Sequence, residues 1–151
     1  MLMLKLYELR IGNFFEIKLP PTHLKRIIQV SQITQNHVLL DGTWHHLDKL
    51  MPIPITEQIL LQCGFEKFRW ITESCVYKKD DFNCRLDENG LQVFGADFNN
   101  LKPLKYLHEL QNLYSDLTEN ELQVHFDEIK IVAPEKNGRK EKRYTLLSSN
   151  T

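Results

Sequence analysis

The chain has 151 residues, 42% hydrophobic and 26% charged, a composition typical of a globular protein of one domain or two small ones. No apolar run approaches the roughly 20 residues that span a bilayer, and MLMLKLYELR lacks the long apolar core and cleavage site of a signal peptide, so we expect a cytoplasmic protein. The net charge of −1 divides into +2 for residues 1–55, −6 for 56–133 and +3 for 134–151. This asymmetry either steers a charged partner or reflects complementarity within the chain.

The three cysteines, Cys63, Cys75 and Cys84, are odd in number and form no C-x-x-C pair. This pattern argues against a disulfide framework and against a zinc knuckle. We interpret all three as small buried hydrophobic residues.

Residues 1–55 contain four or five short β-rich segments separated by Gly-Asn, Pro-Pro, Gln-Asn and Asp-Gly. Strands this short can bury a common face by curling into a small barrel. The segment LRIGN followed by such strands resembles the start of a Src-homology-type small barrel. We therefore predict a small β-barrel subdomain over 1–55.

The segment MPIPIT connects this barrel to a second unit. Thr56 is a helix N-cap residue, and Gly64 supplies the left-handed residue that ends a helix, so we predict a helix over about 56–63. Pro52 and Pro54 favour an extended approach to it. The segment has no Gly/Ser-rich linker, so we expect the two units to pack as one compact body.

The second unit, 56–151, continues with four strand candidates, FEKFRWIT, CVYKK, FNCRLDE and LQVFG, which predict an antiparallel meander. Apolar residues at three- and four-residue spacing then predict a helix over 103–117. Thr118 and Glu121 form a capping box for one more short turn. The whole chain is therefore predicted to be α+β.

Three dipeptides predict two-residue hairpin turns: Asp41-Gly42, Asn89-Gly90 and Asn137-Gly138. For the third, the register places Ile131 opposite Tyr144 and Glu135 opposite Lys140. Apolar residues then face apolar ones, and an acid faces a base. We predict a C-terminal β-hairpin over 127–147.

Trp44, His45 and His46 lie close to the Asp41-Gly42 turn, beside Asp48. A metal site is disfavoured because neighbouring residues on a strand point to opposite faces, and no further ligand follows at a suitable spacing. Two alternatives remain. The pair lies at a barrel rim that contacts a ligand, with one histidine packed and the other exposed to solvent, or the pair is purely structural. Trp44, His45 and His46 are candidate ligand-binding residues.

The predicted helix carries His108 and Glu109, and we interpret Lys105 with Glu109 as a solvent-facing pair four residues apart. The sequence has no nucleophile elbow, Gly-rich phosphate loop, H-E-x-x-H motif or carboxylate cluster. We assign no catalytic residue, metal or cofactor, and a hydrolytic enzyme ranks last among the functions considered.

The tip of the predicted hairpin is its most basic part. Its cations are Lys136, Arg139, Lys140, Lys142 and Arg143. Such a run is either a solvated surface or a contact for something acidic, which includes nucleic acid, a nucleotide and an acidic protein. We treat these residues as candidate ligand-binding residues.

The segments ELRIGNFF, MPIPITEQILLQCGFEKF and LKYLHELQNLYSDLTENEL resemble a family of small proteins found in Bacteroidetes bacteria and their phages or prophages. That family has L-R-I-G-N, P-I-P-L-T, L-x-x-x-G-F and H-E-L-Q-N-L-Y segments in this order. The resemblance covers about 8–122, carries over no catalytic residue, and leaves the last 29 residues outside it.

This resemblance implies a non-enzymatic accessory binding protein that counters a host defence by sequestering a protein or a signalling nucleotide. The alternative is a nucleic-acid-binding accessory protein that uses the barrel and the basic hairpin. Neither interpretation involves a membrane, and both leave open whether the chain forms a homo-oligomer.

Overall fold

The computed structural model describes residues 4–20, 24–69, 75–94, 101–126, 130–132 and 143–145. These residues form two antiparallel sheets, a separate two-stranded pair and two short α-helices. The predicted α+β class is confirmed, and strands predominate. No helix in these ranges is long and apolar enough to cross a membrane.

The first sheet is built from β1 (Phe14–Leu19), β2 (Leu24–Ile33), β3 (His37–Leu40), β4 (Thr43–His46) and β5 (Leu50–Met51). Its strand order is β4-β3-β2-β1-β5, and the sheet curls into a half-barrel. A register shift between Val30 and Gln32 bends β2. The core of this part of the chain buries Leu9, Phe15, Ile17, Val30, Val38, Leu40 and Leu50.

The turn between β3 and β4 is the one predicted from Asp41-Gly42. Both residues have positive φ, 48° and 76°, and Leu40 lies opposite Thr43. This geometry is why Asp-Gly is favoured in a two-residue hairpin.

Helix α1 (Glu57–Gln62) follows the extended MPIPIT segment. Its Thr56 hydroxyl accepts a hydrogen bond from the Ile59 amide at 3.2 Å, and Gly64 has φ 81° just beyond the C-terminus. The predicted cap and stop are confirmed. Ile59 and Leu60 are buried, so the helix packs its apolar side into the second core.

The second sheet is a meander of β6 (Glu66–Arg69), β7 (Cys75–Lys79), β8 (Phe82–Asp87) and β9 (Gly90–Phe94). The last turn differs by one residue from the prediction, because Glu88-Asn89 forms it and Asp87 lies opposite Gly90. Gly90 has φ 126°, and a Cβ there would lie 2.5 Å from the Leu104 carbonyl oxygen. The glycine is therefore required by the first position of β9 and not by the turn itself.

Helix α2 (Leu107–Thr118) begins four residues later than predicted. Leu104 is held in a bridge to Leu91 of β9, and the Lys105 carbonyl oxygen accepts from the Ile55 amide at 3.0 Å. This backbone is used for strand-like pairing and cannot also form a helix. Thr118 ends α2 and donates its hydroxyl to the Tyr114 carbonyl oxygen, so the predicted extra turn after it does not form, and residues 119–126 contain no helix.

The second core lies between the two helices and the meander. Its buried residues are Ile53, Ile55, Ile59, Leu60, Cys63, Phe65, Tyr77, Phe82, Cys84, Leu91, Val93, Leu107, Leu110, Tyr114 and Leu122. Burial raises the pKa of the Cys63 and Cys84 thiols to about 12 in each case, so these thiols stay protonated. Cys75 is only half-buried, so the interpretation of fully buried cysteines holds for two of the three.

Strands β10 (Lys130–Val132) and β11 (Arg143–Thr145) pair antiparallel, with Ile131 opposite Tyr144. The predicted register is confirmed in these residues. The Asn137-Gly138 turn and the Glu135 and Lys140 pair lie outside the described residues, and the subdomain limits 1–55 and 56–151 stay a prediction.

Candidate functional site

The rim of the half-barrel lies along β4, the edge strand of the first sheet. Trp44 is 47% exposed, and His46 points to the same side because it is two residues away. His45 points to the opposite side, next to Val38, and is half-buried. One histidine packs and the other faces water, as the strand alternation predicted.

The exposed imidazoles of the rim lie close together. The rings of His37 and His46 meet edge to face with centroids 5.2 Å apart, and Nδ1 of His46 lies 2.9 Å from Oδ1 of Asp48. Both contacts with Asp48 are made at Nδ1, which also accepts from the Asp48 amide at 3.4 Å, so a ligand would be met by Nε2, which donates when it carries the proton. We call Trp44, His37 and His46 the rim surface. Within the described ranges, no group of three or more His, Cys, Asp or Glu residues is arranged to hold a metal ion.

A hydrogen-bonded polar seam joins the segment before β1 to helix α2. Its members are Arg10, Gly12 and Asn13 on one side and Gln111, Asn112 and Asp116 on the other. Asn13 is 3% exposed and donates from Nδ2 to Oδ1 of Asn112 at 3.0 Å. Arg10 binds Asp116 through both of its terminal nitrogens, at 2.6 and 2.9 Å. These polar residues therefore hold the half-barrel against α2.

His108 is 2% exposed and lies beside this seam. Its ring is 5.0 Å from the Phe15 ring and stacks on Tyr106 at 6.0 Å between centroids. Burial lowers the pKa of His108, and Nδ1 has no hydrogen-bond partner among the described residues. The neutral imidazole therefore behaves as part of the core.

Glu109 does not form the predicted ion pair with Lys105. Its carboxylate accepts from the backbone amides of Lys105 and Tyr106 at 2.8 and 2.9 Å. Since Lys105 precedes the helix, the two side chains are not four residues apart on a helical surface. Glu109 instead satisfies free amides at the N-terminus of α2.

A second polar contact ties α1 to the meander. The Glu57 carboxylate accepts from Nζ of Lys67 at 2.7 Å and from the Tyr77 hydroxyl at 2.5 Å. The hydrogen bonds from Lys67 and then Tyr77 lower the pKa of Glu57, while burial and the Glu57 contact raise that of Tyr77. This contact is structural, because Tyr77 is only 3% exposed.

The outer face of the second sheet is a surface that the sequence interpretation missed. Tyr77, Cys84 and Val93 point into the core. The residues next to each of them on its strand therefore point away from the core. The outward residues are Glu66, Phe68, Val76, Lys78, Asn83, Arg85, Asp87, Gln92 and Phe94. We call this set the outer face. Alternation in CVYKK, FNCRLDE and LQVFG could have revealed it, once the strand register was known.

Arg85 lies near the middle of the outer face. Its guanidinium carbon is 5.7 Å from the centroid of the exposed Phe94 ring, and Nη2 is 3.7 Å from Oδ2 of Asp87. Its Nε is buried and has no hydrogen-bond partner within the described part of the chain. An aromatic ring and a cation are thus presented side by side.

Lys136, Arg139, Lys140 and Lys142, predicted at the hairpin tip, lie outside the described residues. Arg143 is the first residue of β11, and its backbone pairs with that of Val132. In the sequence, these four residues lie between β10 and β11.

No protein-family model, curated protein or solved structure matches the chain.

Proposed function

We propose that the protein is a non-enzymatic accessory binding protein of the phage or prophage type. In this proposal it acts in the host cytoplasm and counters a defence pathway by sequestering a signalling nucleotide, or an acidic protein, at the rim surface and the basic hairpin. The resemblance of three sequence blocks to phage and prophage proteins supports the origin. The chemistry of the rim supports the ligand class.

The observation that carries the proposal is the exposure of Trp44 beside two imidazoles. An indole that is 47% exposed offers a flat apolar surface on which a nucleobase can stack. His37 and His46 lie on the same side of the sheet and can donate hydrogen bonds to phosphate oxygens. A nucleotide provides both a ring and an anion, so it matches this pair of features.

The proposal includes closure of the half-barrel into a small Src-homology-like barrel. Four strands run as a meander, and β5 then returns to pair with β1 at Glu16–Met51 and Ile17–Leu50. This return brings the end of the meander back to its first strand, which supports closure of a small barrel. Closure would place β4 and its rim surface at the mouth of the barrel.

Tryptophan fluorescence and calorimetry with a panel of linear and cyclic nucleotides test the proposal. A binding nucleotide should quench Trp44 emission and raise the melting temperature without being converted to product. Trp44→Ala should weaken binding by about tenfold, the scale of one lost stacking contact. Tyr7→Ala is a matched control, because its ring is 75% exposed on the turn before β1. Turnover of the nucleotide, or binding that does not depend on Trp44, would contradict the proposal.

The second candidate is a nucleic-acid-binding accessory protein that uses the barrel and the basic hairpin. The pairing of β10 with β11 favours it, because these strands flank a connection that carries Lys136, Arg139, Lys140 and Lys142. Combined Arg139→Ala, Lys140→Ala and Arg143→Ala changes should then weaken binding to DNA or RNA and reduce its salt dependence. Unchanged affinity would identify the charge as ordinary solvated surface.

A further inference from the structure

We infer that strand β4 is a self-association edge, at which two copies of this chain pair their β4 strands antiparallel and join their half-barrel sheets. The pairing needs no ligand, so the inference does not rest on the proposed function. Three observations support it: backbone groups of β4 that its neighbour does not use, an edge without the usual protection, and a strand sequence that is complementary to itself.

The backbone of β4 has hydrogen-bonding groups that β3 does not use. Facing residues of an antiparallel pair alternate between pairs that exchange hydrogen bonds and pairs that do not. The Leu47 amide donates to the Asn36 carbonyl oxygen at 3.0 Å, so the next facing pair, in which His46 lies opposite His37, exchanges none. The backbone of His37 is instead bonded to Thr34. Its amide donates to Thr34 Oγ1 at 3.2 Å, and its carbonyl oxygen accepts from the Thr34 amide at 2.8 Å.

The same alternation turns the backbone amide and carbonyl groups of Trp44 and His46 away from β3. Trp44 lies two residues before His46 on the strand and therefore shares its position in the alternation. β4 is the last strand of its sheet, since β5 pairs with β1 at the other end. Within the described ranges, no strand lies on the outer side of β4, so these groups are open to pairing.

The other edges of the two main sheets are protected, as edges in natural proteins usually are. Leu104 covers the edge of β9, because it exchanges backbone hydrogen bonds of 2.7 and 2.9 Å with Leu91. β6 carries the charged sequence EKFR, and β5 has only two residues before Pro52. β4 contains no Lys, Arg, Asp, Glu or Pro, and its Trp44 is 47% exposed. Its edge is therefore left open to another strand.

The sequence of β4 is complementary to itself about a two-fold axis. All the outward groups are used only when Trp44 lies opposite His46 of the second copy, which places the axis at His45. Each such pair exchanges two backbone hydrogen bonds, and symmetry repeats the pair on the other side of the axis. An indole then faces an imidazole in both pairs, and aromatic pairs across strands stabilise an antiparallel sheet.

Pairing also brings the two rim surfaces together. Facing side chains lie on the same side of a sheet, so both Trp44 indoles and both His46 imidazoles lie on one face of the joined sheet. The α-carbons of a hydrogen-bonded pair are about 5.5 Å apart, whereas residues two apart on one strand are separated by about 6.8 Å. His46 of the second copy therefore lies nearer to each Trp44 than the His46 of the same strand, and each copy contributes a residue to the rim of the other.

Analytical ultracentrifugation over a concentration series tests the inference with two variants at one position. His46 has φ −67° and ψ 145°, which proline adopts without strain. His46→Pro and His46→Ala both remove the imidazole, but only the proline also removes the outward amide. His46→Pro should dimerise more than tenfold more weakly than His46→Ala, because each dimer loses two backbone hydrogen bonds that contribute roughly a factor of five each. Equal urea midpoints for the two variants would show that both fold alike.

Disulfide cross-linking tests the register and does not depend on the proline variant. His45 faces its own copy in a pair without hydrogen bonds, where α-carbons lie about 4.5 Å apart, a separation that a disulfide spans. The half-buried Cys75 is first replaced by serine. In that background His45→Cys should form a dimer-linking disulfide on mild oxidation. Thr43→Cys is the control and should not, because about 13 Å of strand separates the two copies of residue 43.

The expected result is a monomer–dimer equilibrium that shifts with concentration. The dimer should be weak, because so short a contact is smaller than a standard interface. A protein that stays monomeric at every concentration would overturn the inference, and so would cross-linking of Thr43→Cys as readily as of His45→Cys. A dimer that Phe68→Ala with Phe94→Ala dissociates and His46→Pro does not would also overturn it, since the outer face of the second sheet would then be the interface.

Discussion

Replacement of Gln111 by leucine should weaken the contact between the half-barrel and helix α2. Gln111 is 7% exposed, and its Oε1 accepts from the Phe14 amide at 3.0 Å while Nε2 donates to the Gly12 carbonyl oxygen at 3.1 Å. Leucine has a similar size but makes neither hydrogen bond. The Gly12 oxygen keeps a second donor, Nε2 of Gln29, whereas no other side chain of the described residues accepts from the Phe14 amide. One buried unsatisfied amide costs about 1–3 kcal/mol, so we expect Gln111→Leu to lower the free energy of unfolding by about 2 kcal/mol.

Urea denaturation followed by circular dichroism measures this change, and thermal melting should show a drop of about 4–8 °C, given 2–4 °C per kcal/mol for a chain of this size. Gln58→Leu is the matched control, because Gln58 is an exposed glutamine on α1. It should stay within about 0.5 kcal/mol of the wild type. If Gln111→Leu melted like the wild type, the two Gln111 hydrogen bonds would not stabilise the contact between these two elements.

Three further changes test other parts of the fold. Gly90→Ala should destabilise the protein by more than Gly42→Ala, because a Cβ at Gly90 meets the Leu104 oxygen at 2.5 Å whereas Gly42 has open space and only a positive φ; similar urea midpoints for the two would contradict this. Thr56→Ala should cost about 1 kcal/mol through loss of the α1 cap, and an unchanged midpoint would show that the cap is dispensable. Burial lowers the pKa of His108, so the unfolded chain takes up its proton first. Neutral His108 therefore makes its full contribution to the free energy of unfolding above about pH 6.5, the ordinary pKa of histidine in the unfolded chain. This contribution is lost as the pH falls towards the lower pKa of His108 in the folded protein. His108→Phe should reduce the slope of the free energy of unfolding against pH in this range. An equal slope in the variant and the wild type would argue against a buried neutral histidine.

Features set by local chemistry were predictable from the sequence. The α1 cap at Thr56, the turn at Asp41-Gly42 and the β10–β11 register each depend on a few neighbouring residues whose conformational preferences agree. The register was also testable within the sequence, because a shift of one residue would have paired apolar with charged side chains.

Features set by distant contacts were not predictable. The apolar spacing of α2 extends back to Pro103, but Leu104 is bridged to Leu91, thirteen residues earlier in the chain. This pairing overrides the helical pattern. The outer face was missed for a related reason, since Lys78, Asn83 and Phe94 look unrelated in sequence and become one row only after three strands are paired.

The polar seam joins two segments that lie far apart in the sequence. Arg10 and Asn13 belong to the first resembling block, and their partners Asp116 and Asn112 belong to the third. The two blocks are therefore each other's partners in the fold, and the contact between the half-barrel and α2 depends on residues of both. The rim at Trp44 and most of the outer face, including Lys78, Arg85 and Phe94, lie outside all three blocks. A chain that kept the blocks and changed these surfaces should therefore keep this fold.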